Sequence, residues 1–136
     1  MIRVVIDTNI IVRAVSGRSF SNFIFDLLFT NQITLCVSTD ILLEYEEIIT
    51  KIYDAQTAEL VIGALLLLPN VHRTEVFFDL RLIAHDADDD KFVNCAFATN
   101  AHCILSDDRH FNVLEKIPFP KIPVLKFSEF KEFMKI

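Results

Sequence analysis

Four short segments of the chain place carboxylates where a hydrophobic run ends or a helix is expected to begin. They are Asp7 in VVIDTN, Glu44 in STDILLEY, Asp89 in the run HDADDDKF, and Asp108 in ILSDDRHF. In an α/β fold these are the positions where ligand-binding side chains collect. Carboxylates brought together repel one another, and a divalent cation is the simplest counter-charge.

Each acid also has a plain structural reading. Asp7 and Asp108 suit a turn or a helix cap at a strand end. Glu44 and Glu46 lie on opposite flanks of one apolar helical stripe, and helical angle alone does not separate them. Asp86, Asp88, Asp89 and Asp90 crowd one helix start, where acids cap free N–H groups and suit the helix dipole. One or two would do that work, and the surplus asks for a cation. Asp107 and Asp108 pose the same choice at the next strand end.

Other chemistries fit poorly. With only two glycines, Gly17 and Gly63, there is no dinucleotide or Walker-type phosphate loop, and no GxSxG nucleophile elbow is present. The four histidines, His72, His85, His102 and His110, lack HxxxH spacing, which disfavours zinc. Hard oxygen donors point instead to one or two Mg²⁺ or Mn²⁺ ions. A phosphotransfer enzyme with Asp7 as nucleophile would want a second Asp two residues on, where Asn9 stands.

A chain of 136 residues is expected to form one domain, residues 1–136, with a substantial core. Hydrophobic residues make up 52%, with 13 Phe and no Trp, and mean hydropathy is +0.40, which leaves apolar surface for a partner. The longest apolar stretch, Leu60 to Leu68, is nine residues, against roughly 17 to 25 for a membrane span. Neither a membrane segment nor a signal peptide is expected. Cys36, Cys95 and Cys103 form no CxxC pair and read as buried hydrophobes of a reducing cytoplasm. The net charge of −6 weighs at first against nucleic acid, but bound cations would reverse the local field.

These acids must be positioned by alternating strands and helices. Strands are expected at Ile2–Ile6, Ile33–Val37, Val71–Phe78, Cys103–Leu105 and Val124–Phe127. Helices are expected at Asn9–Ala14, Phe20–Phe29, from a Ser38 or Thr39 cap to about Tyr53, at Ala55–Leu68, Asp88–Asn100, Asp108–Leu114 and Ser128–Lys135. Ser16–Ser19 separates the first two helices, and Pro118, Pro120 and Pro123 mark a loop. Such alternation implies a mainly parallel sheet with helices on both faces, and a site beyond the carboxyl ends of its strands.

With these residues assembled, IRVVIDTNIIVRAV, STDILLEYEEII, DADDDKFVNCAFATNAHCILSDDRHF and PVLKFSEFKEF resemble, in order and spacing, the PIN-domain (PilT N-terminus) nucleases. The resemblance runs from about residue 2 to residue 133 and is nearest to the compact prokaryotic toxins of toxin–antitoxin systems. It implies a three-layer α/β/α sandwich with a mainly parallel central sheet. By position it selects Asp7, Glu44 over Glu46, Asp89 (through Phe92 and Ala96) and Asp108 as catalytic metal ligands. Ser106 matches the family's Ser/Thr and Asn9 the polar residue of the opening motif; both would orient ligands or water, with Asp88 a neighbouring or capping acid. Three positions depart from the family: Asp107 in place of Gly or a base, Asp90 in place of Asn, and Asn94 in place of an acid.

The activity implied is Mg²⁺- or Mn²⁺-dependent endoribonuclease action, with a metal-activated water hydrolysing RNA phosphodiester bonds. Arg13, Arg18, Lys91, Arg109 and His110 are candidates for gripping the RNA backbone. The resemblance further implies a cognate antitoxin and a homodimer or higher homo-oligomer. The alternatives are a non-catalytic PIN-like domain binding RNA or protein, and a PIN nuclease of RNA processing rather than a toxin.

Overall fold

The computed structural model describes residues 1–17, 22–83 and 88–135. Arg18, Asp86, His85 and the first residues of the helix expected at Phe20–Phe29 lie outside them. The elements are β1 (Ile2–Ile6), α1 (Thr8–Val15), α2 (Phe23–Phe29), β2 (Ile33–Ser38), α3 (Thr39–Ile52), α4 (Ala55–Leu67), β3 (Val71–Thr74), α5 (Asp90–Thr99), β4 (Cys103–Leu105), a 3₁₀ segment (Arg109–Lys116), β5 (Val124–Leu125) and α6 (Phe127–Phe133).

All five strands are parallel, in the order β3-β2-β1-β4-β5. The chain winds outward from β1 to β3 and then returns to the other side of β1. Right-handed crossovers therefore put α1–α4 on one face and α5 with the 3₁₀ segment on the other. This is the α/β/α arrangement with helices flanking a central parallel sheet. Its switch of direction falls between β1 and β4, where open sheets of this kind form a crevice beyond the strand ends.

β1 is a continuous apolar run because both of its faces are covered. Val4, Val5 and Ile6 are wholly buried. Burying such side chains is worth about 1.5–3 kcal/mol each, enough together to offset seating a carboxylate, Asp7, at the strand's end. Ser38 ends β2 and caps α3, its Oγ accepting the Ile41 N–H at 3.2 Å. On α3 the apolar stripe Ile41, Leu42, Tyr45 and Ile49 is buried. Asn100 closes α5 in the left-handed conformation, with φ 53°, a role open to Asn as well as Gly. All three cysteines are buried thiols, and burial pushes Cys95 up to about 12 and Cys103 to about 11.

Two strands are shorter than their sequence patterns suggest. β3 stops at Thr74 rather than Phe78, because β2, its one strand neighbour among the described residues, ends at Ser38, the partner of Thr74 in the last registered pair. Beyond it the backbone turns to α5 and finds side-chain acceptors there. Leu80 N–H donates to Asn94 Oδ1 at 2.9 Å and Ile83 N–H to Asp90 Oδ1 at 2.8 Å. β5 likewise stops at Leu125, opposite the last residue of β4. Lys126 N–H then donates to Glu129 Oε1 at 2.9 Å, and α6 begins at Phe127.

Candidate active site

Because the strands are parallel, the residues that follow β1 and β4 emerge side by side at the switch point. Asp7 comes directly after β1, and its backbone N–H continues the ladder to Leu105 O at 3.0 Å. Ser106, 1% exposed, lies between two of the acids. Its hydroxyl donates to Asp7 Oδ2 at 2.7 Å and accepts the Asp108 N–H at 3.0 Å. A single small hydroxyl thus ties the ends of two strands together and fixes the rotamer of one carboxylate.

Asp89 reaches the same place from the start of α5. Ligand atoms of Asp89, Asp108 and His110 all lie within 4.8 Å of one another. His110 Nδ1 is 3.3 Å from Asp89 Oδ2 and 3.5 Å from Asp108 Oδ1. The capping explanation can be tested at each acid. Asp7 and Asp89 hold the residue positions before α1 and α5, yet neither makes a side-chain cap bond. Asp108 does cap, accepting the His110 N–H at 2.9 Å, while still belonging to the cluster.

Glu44 arrives from α3, and three contacts account for its placement. The Tyr45 hydroxyl donates to the carbonyl of Ile6, which docks α3 under the end of β1; burial holds that hydroxyl protonated well above the ordinary tyrosine range. The hydroxyl of Thr8, itself buried, donates to Glu44 Oε2. Lys91 Nζ lies 2.9 Å from Glu44 Oε1, with the two side chains 21% and 19% exposed. Glu46 and Glu47 point to solvent. Glu44 and Lys91 also form one wall of a polar cleft of about 450 Å³ that runs past Asp88, Asp79 and Phe78.

The electrostatics match a site built for a cation. Burial raises the Asp7 carboxyl above its ordinary value, and the nearby charges of Asp108 and Glu44 add to the rise against the lowering bonds from Ser106 and the Thr8 backbone. The folded chain thus holds Asp7 in a place unfavourable for its ionised form unless positive charge is supplied. The donors gathered here are carboxylate oxygens plus one imidazole nitrogen, a set that fits Mg²⁺ or, better, Mn²⁺.

The remaining singled-out residues fall elsewhere. Arg13 pairs with Asp107 at 2.9 Å near the surface. Asn9 is exposed on the first turn of α1, and Asp88 and Arg109 are exposed. His110, a candidate for gripping RNA, sits at the acid cluster itself. The unusual acids prove structural. Asp90 holds the Ile83 N–H, and Asp107 Oδ1 accepts the Phe127 N–H at 2.8 Å. Asn94, in place of an acid, donates to Asp79 at 3.1 Å while accepting from Leu80. Tyr45 was not among the expected site residues; its signal was its adjacency to Glu44.

Comparison with known proteins gives a consistent picture. The family described as PIN domain matches residues 3–110. No curated protein matches the chain in sequence. Among solved structures, the chain is similar to VapBC2 from Rickettsia felis bound to a DNA fragment from their promoter. That match has a TM-score of 0.62 at 15% identity, and covers 93% of this chain and 99% of the other. It is also similar to Mycobacterium tuberculosis VapC20, a Sarcin-Ricin loop cleaving toxin, with a TM-score of 0.57 at 11% identity, covering 80% of this chain and 92% of the other.

Proposed function

Because the chain belongs to the PIN-domain family, we propose that it is a divalent-metal-dependent endoribonuclease, acting as the toxin of a toxin–antitoxin pair. The observation that carries this reading is the gathering of Asp7, Asp89 and Asp108 at the β1/β4 switch point, with Glu44 beside them. Neither Asp7 nor Asp89 makes the side-chain cap bond that would explain it more simply. The RNA substrate and toxin role are supported by likeness in fold to VapC20.

In this reading Asp7, Glu44, Asp89 and Asp108 hold Mg²⁺ or Mn²⁺. When bound, such an ion supplies Lewis-acid stabilisation of charge on the phosphate and a more acidic water. The chain's own residues do the positioning. Ser106 orients Asp7, Thr8 and Lys91 orient Glu44, and His110 stands against Asp89 and Asp108. Arg109, exposed and next in sequence to Asp108, is a candidate for meeting a backbone phosphate. Residues 1–136 act as one nuclease domain, and no helix of the described residues is long and apolar enough to cross a membrane. An apolar groove between Val15, Phe25, Phe29, Leu60 and Leu65 supports a protein partner, which we take to be the antitoxin or a second copy.

The test is direct. Purified protein with Mn²⁺ is expected to cut RNA, and EDTA or Asp7→Asn to stop the cutting. Cleavage by the Asp7→Asn and Asp89→Asn proteins at the parent rate would refute the metal assignment.

A further inference from the structure

We propose that Lys91 is a built-in cation standing where a second metal ion would otherwise sit, so that this site binds one divalent ion and not two. The inference rests on the metal-dependent reading above and narrows its ligand set: Asp7, Asp89 and Asp108 hold the ion, and Glu44 is answered by Lys91.

The acids divide into two groups. Asp89 and Asp108, with His110, bring their ligand atoms within 4.8 Å of one another, and Asp7 is tied to Asp108 through Ser106, while neither Asp7 nor Glu44 is part of that closest gathering among the described residues. Glu44 faces the other way in chemical terms. One of its oxygens accepts from Thr8, and the other lies 2.9 Å from Lys91 Nζ. Both oxygens that would ligate an ion are therefore already met by donors of the chain.

The position of Lys91 makes the pairing more telling. It is the second residue of α5, where the helix dipole presents positive charge and a cation is disfavoured. Glu44 rewards it there, with Oε1 lying 2.9 Å from the ammonium of the half-buried lysine.

The experiment counts ions and does not depend on activity. Metal-free protein is titrated with Mn²⁺ and binding is followed by calorimetry and by the electron paramagnetic resonance signal of free Mn²⁺. Wild type and Lys91→Arg are expected to bind one ion per chain. Lys91→Met is expected to bind two, the second at least about tenfold more tightly than wild type can. Two ions in wild type would overturn the proposal, as would a single ion in a folded Lys91→Met protein. If that variant does not fold, Lys91→Gln serves as the neutral replacement, and the wild-type count still decides. Wild type binding no ion would bring down the metal-dependent reading itself, a result distinct from either of the others.

Discussion

Asp89 and Asp90 are neighbours at the start of α5, 8% and 5% exposed respectively, and they face different things. Asp89 turns to His110 and Asp108. Asp90 turns to the loop before the helix and holds the Ile83 N–H. The same division recurs after β4, where Asp108 joins the cluster while Asp107 takes the Phe127 N–H and the Arg13 guanidinium. A run of acids is thus not one feature. Successive side chains leave the backbone in different directions, so in each run one acid joins the cluster and its neighbour ties down an adjoining segment.

The largest expected effect lies on the Asp89 side of that contrast. Asp89→Asn removes a charge from the cluster and keeps the shape. RNA cleavage with Mn²⁺ should fall by about 100-fold or more, since loss of a metal ligand forfeits several kcal/mol of transition-state stabilisation. The melting temperature should move less than it does in Asp90→Ala. A variant that unfolds but cuts at the parent rate when folded would reverse the assignment of the two residues.

Asp90→Ala should show the complementary pattern. It strips a buried acceptor from Ile83 and leaves an N–H without its partner, a loss of about 1–3 kcal/mol. Denaturant unfolding measures this directly. Cleavage should decline only as far as the loop displacement disturbs the cleft. Stability within error of wild type would mean that the Ile83 bond is not what Asp90 is there for.

This contrast also marks how far the sequence alone could be read. The strand ends that carry Asp7 and Asp108 were visible, because a β-branched run such as IRVVI has few other uses and the alternation of elements orients the sheet. Position along a helix could not separate Glu44 from Glu46, since both flank the same stripe. What separates them is tertiary: Tyr45 reaching Ile6, and Thr8 and Lys91 meeting Glu44. The strand expected to run to Phe78 ended at Thr74 for a reason no local pattern carries, the length of its neighbour β2. Asp90 and Asp107 looked like excess charge near the metal because their partners, Ile83 and Phe127, are backbone groups of segments whose approach only the fold determines.

The smallest effects are in the pH dependence of stability, and there Asp7 and Asp107 should differ in sign. Burial raises the folded-state value of Asp7 above 3.8. The folded chain holds that proton more tightly than the unfolded one, so stability declines as pH rises through the raised value, and the metal-free protein carries the cost at neutral pH. Asp107 is the reverse. Partial burial pushes it upward, but the Arg13 and Phe127 N–H bonds and the charges of Arg13 and Lys126 outweigh this and leave it lowered. Its contribution is present above the unfolded value near 3.8 and is lost as pH falls through the lowered one. Because the Arg13–Asp107 pair is 46% and 42% exposed, solvent screening keeps its worth below about 1 kcal/mol. Thermal melts in EDTA should therefore show Asp7→Asn more stable than wild type at pH 7 and Asp107→Asn slightly less stable, with both differences shrinking toward pH 3. Asp7→Asn melting below wild type at neutral pH would mean that the buried acid is compensated within the protein, and the electrostatic case for a cation would lose its footing.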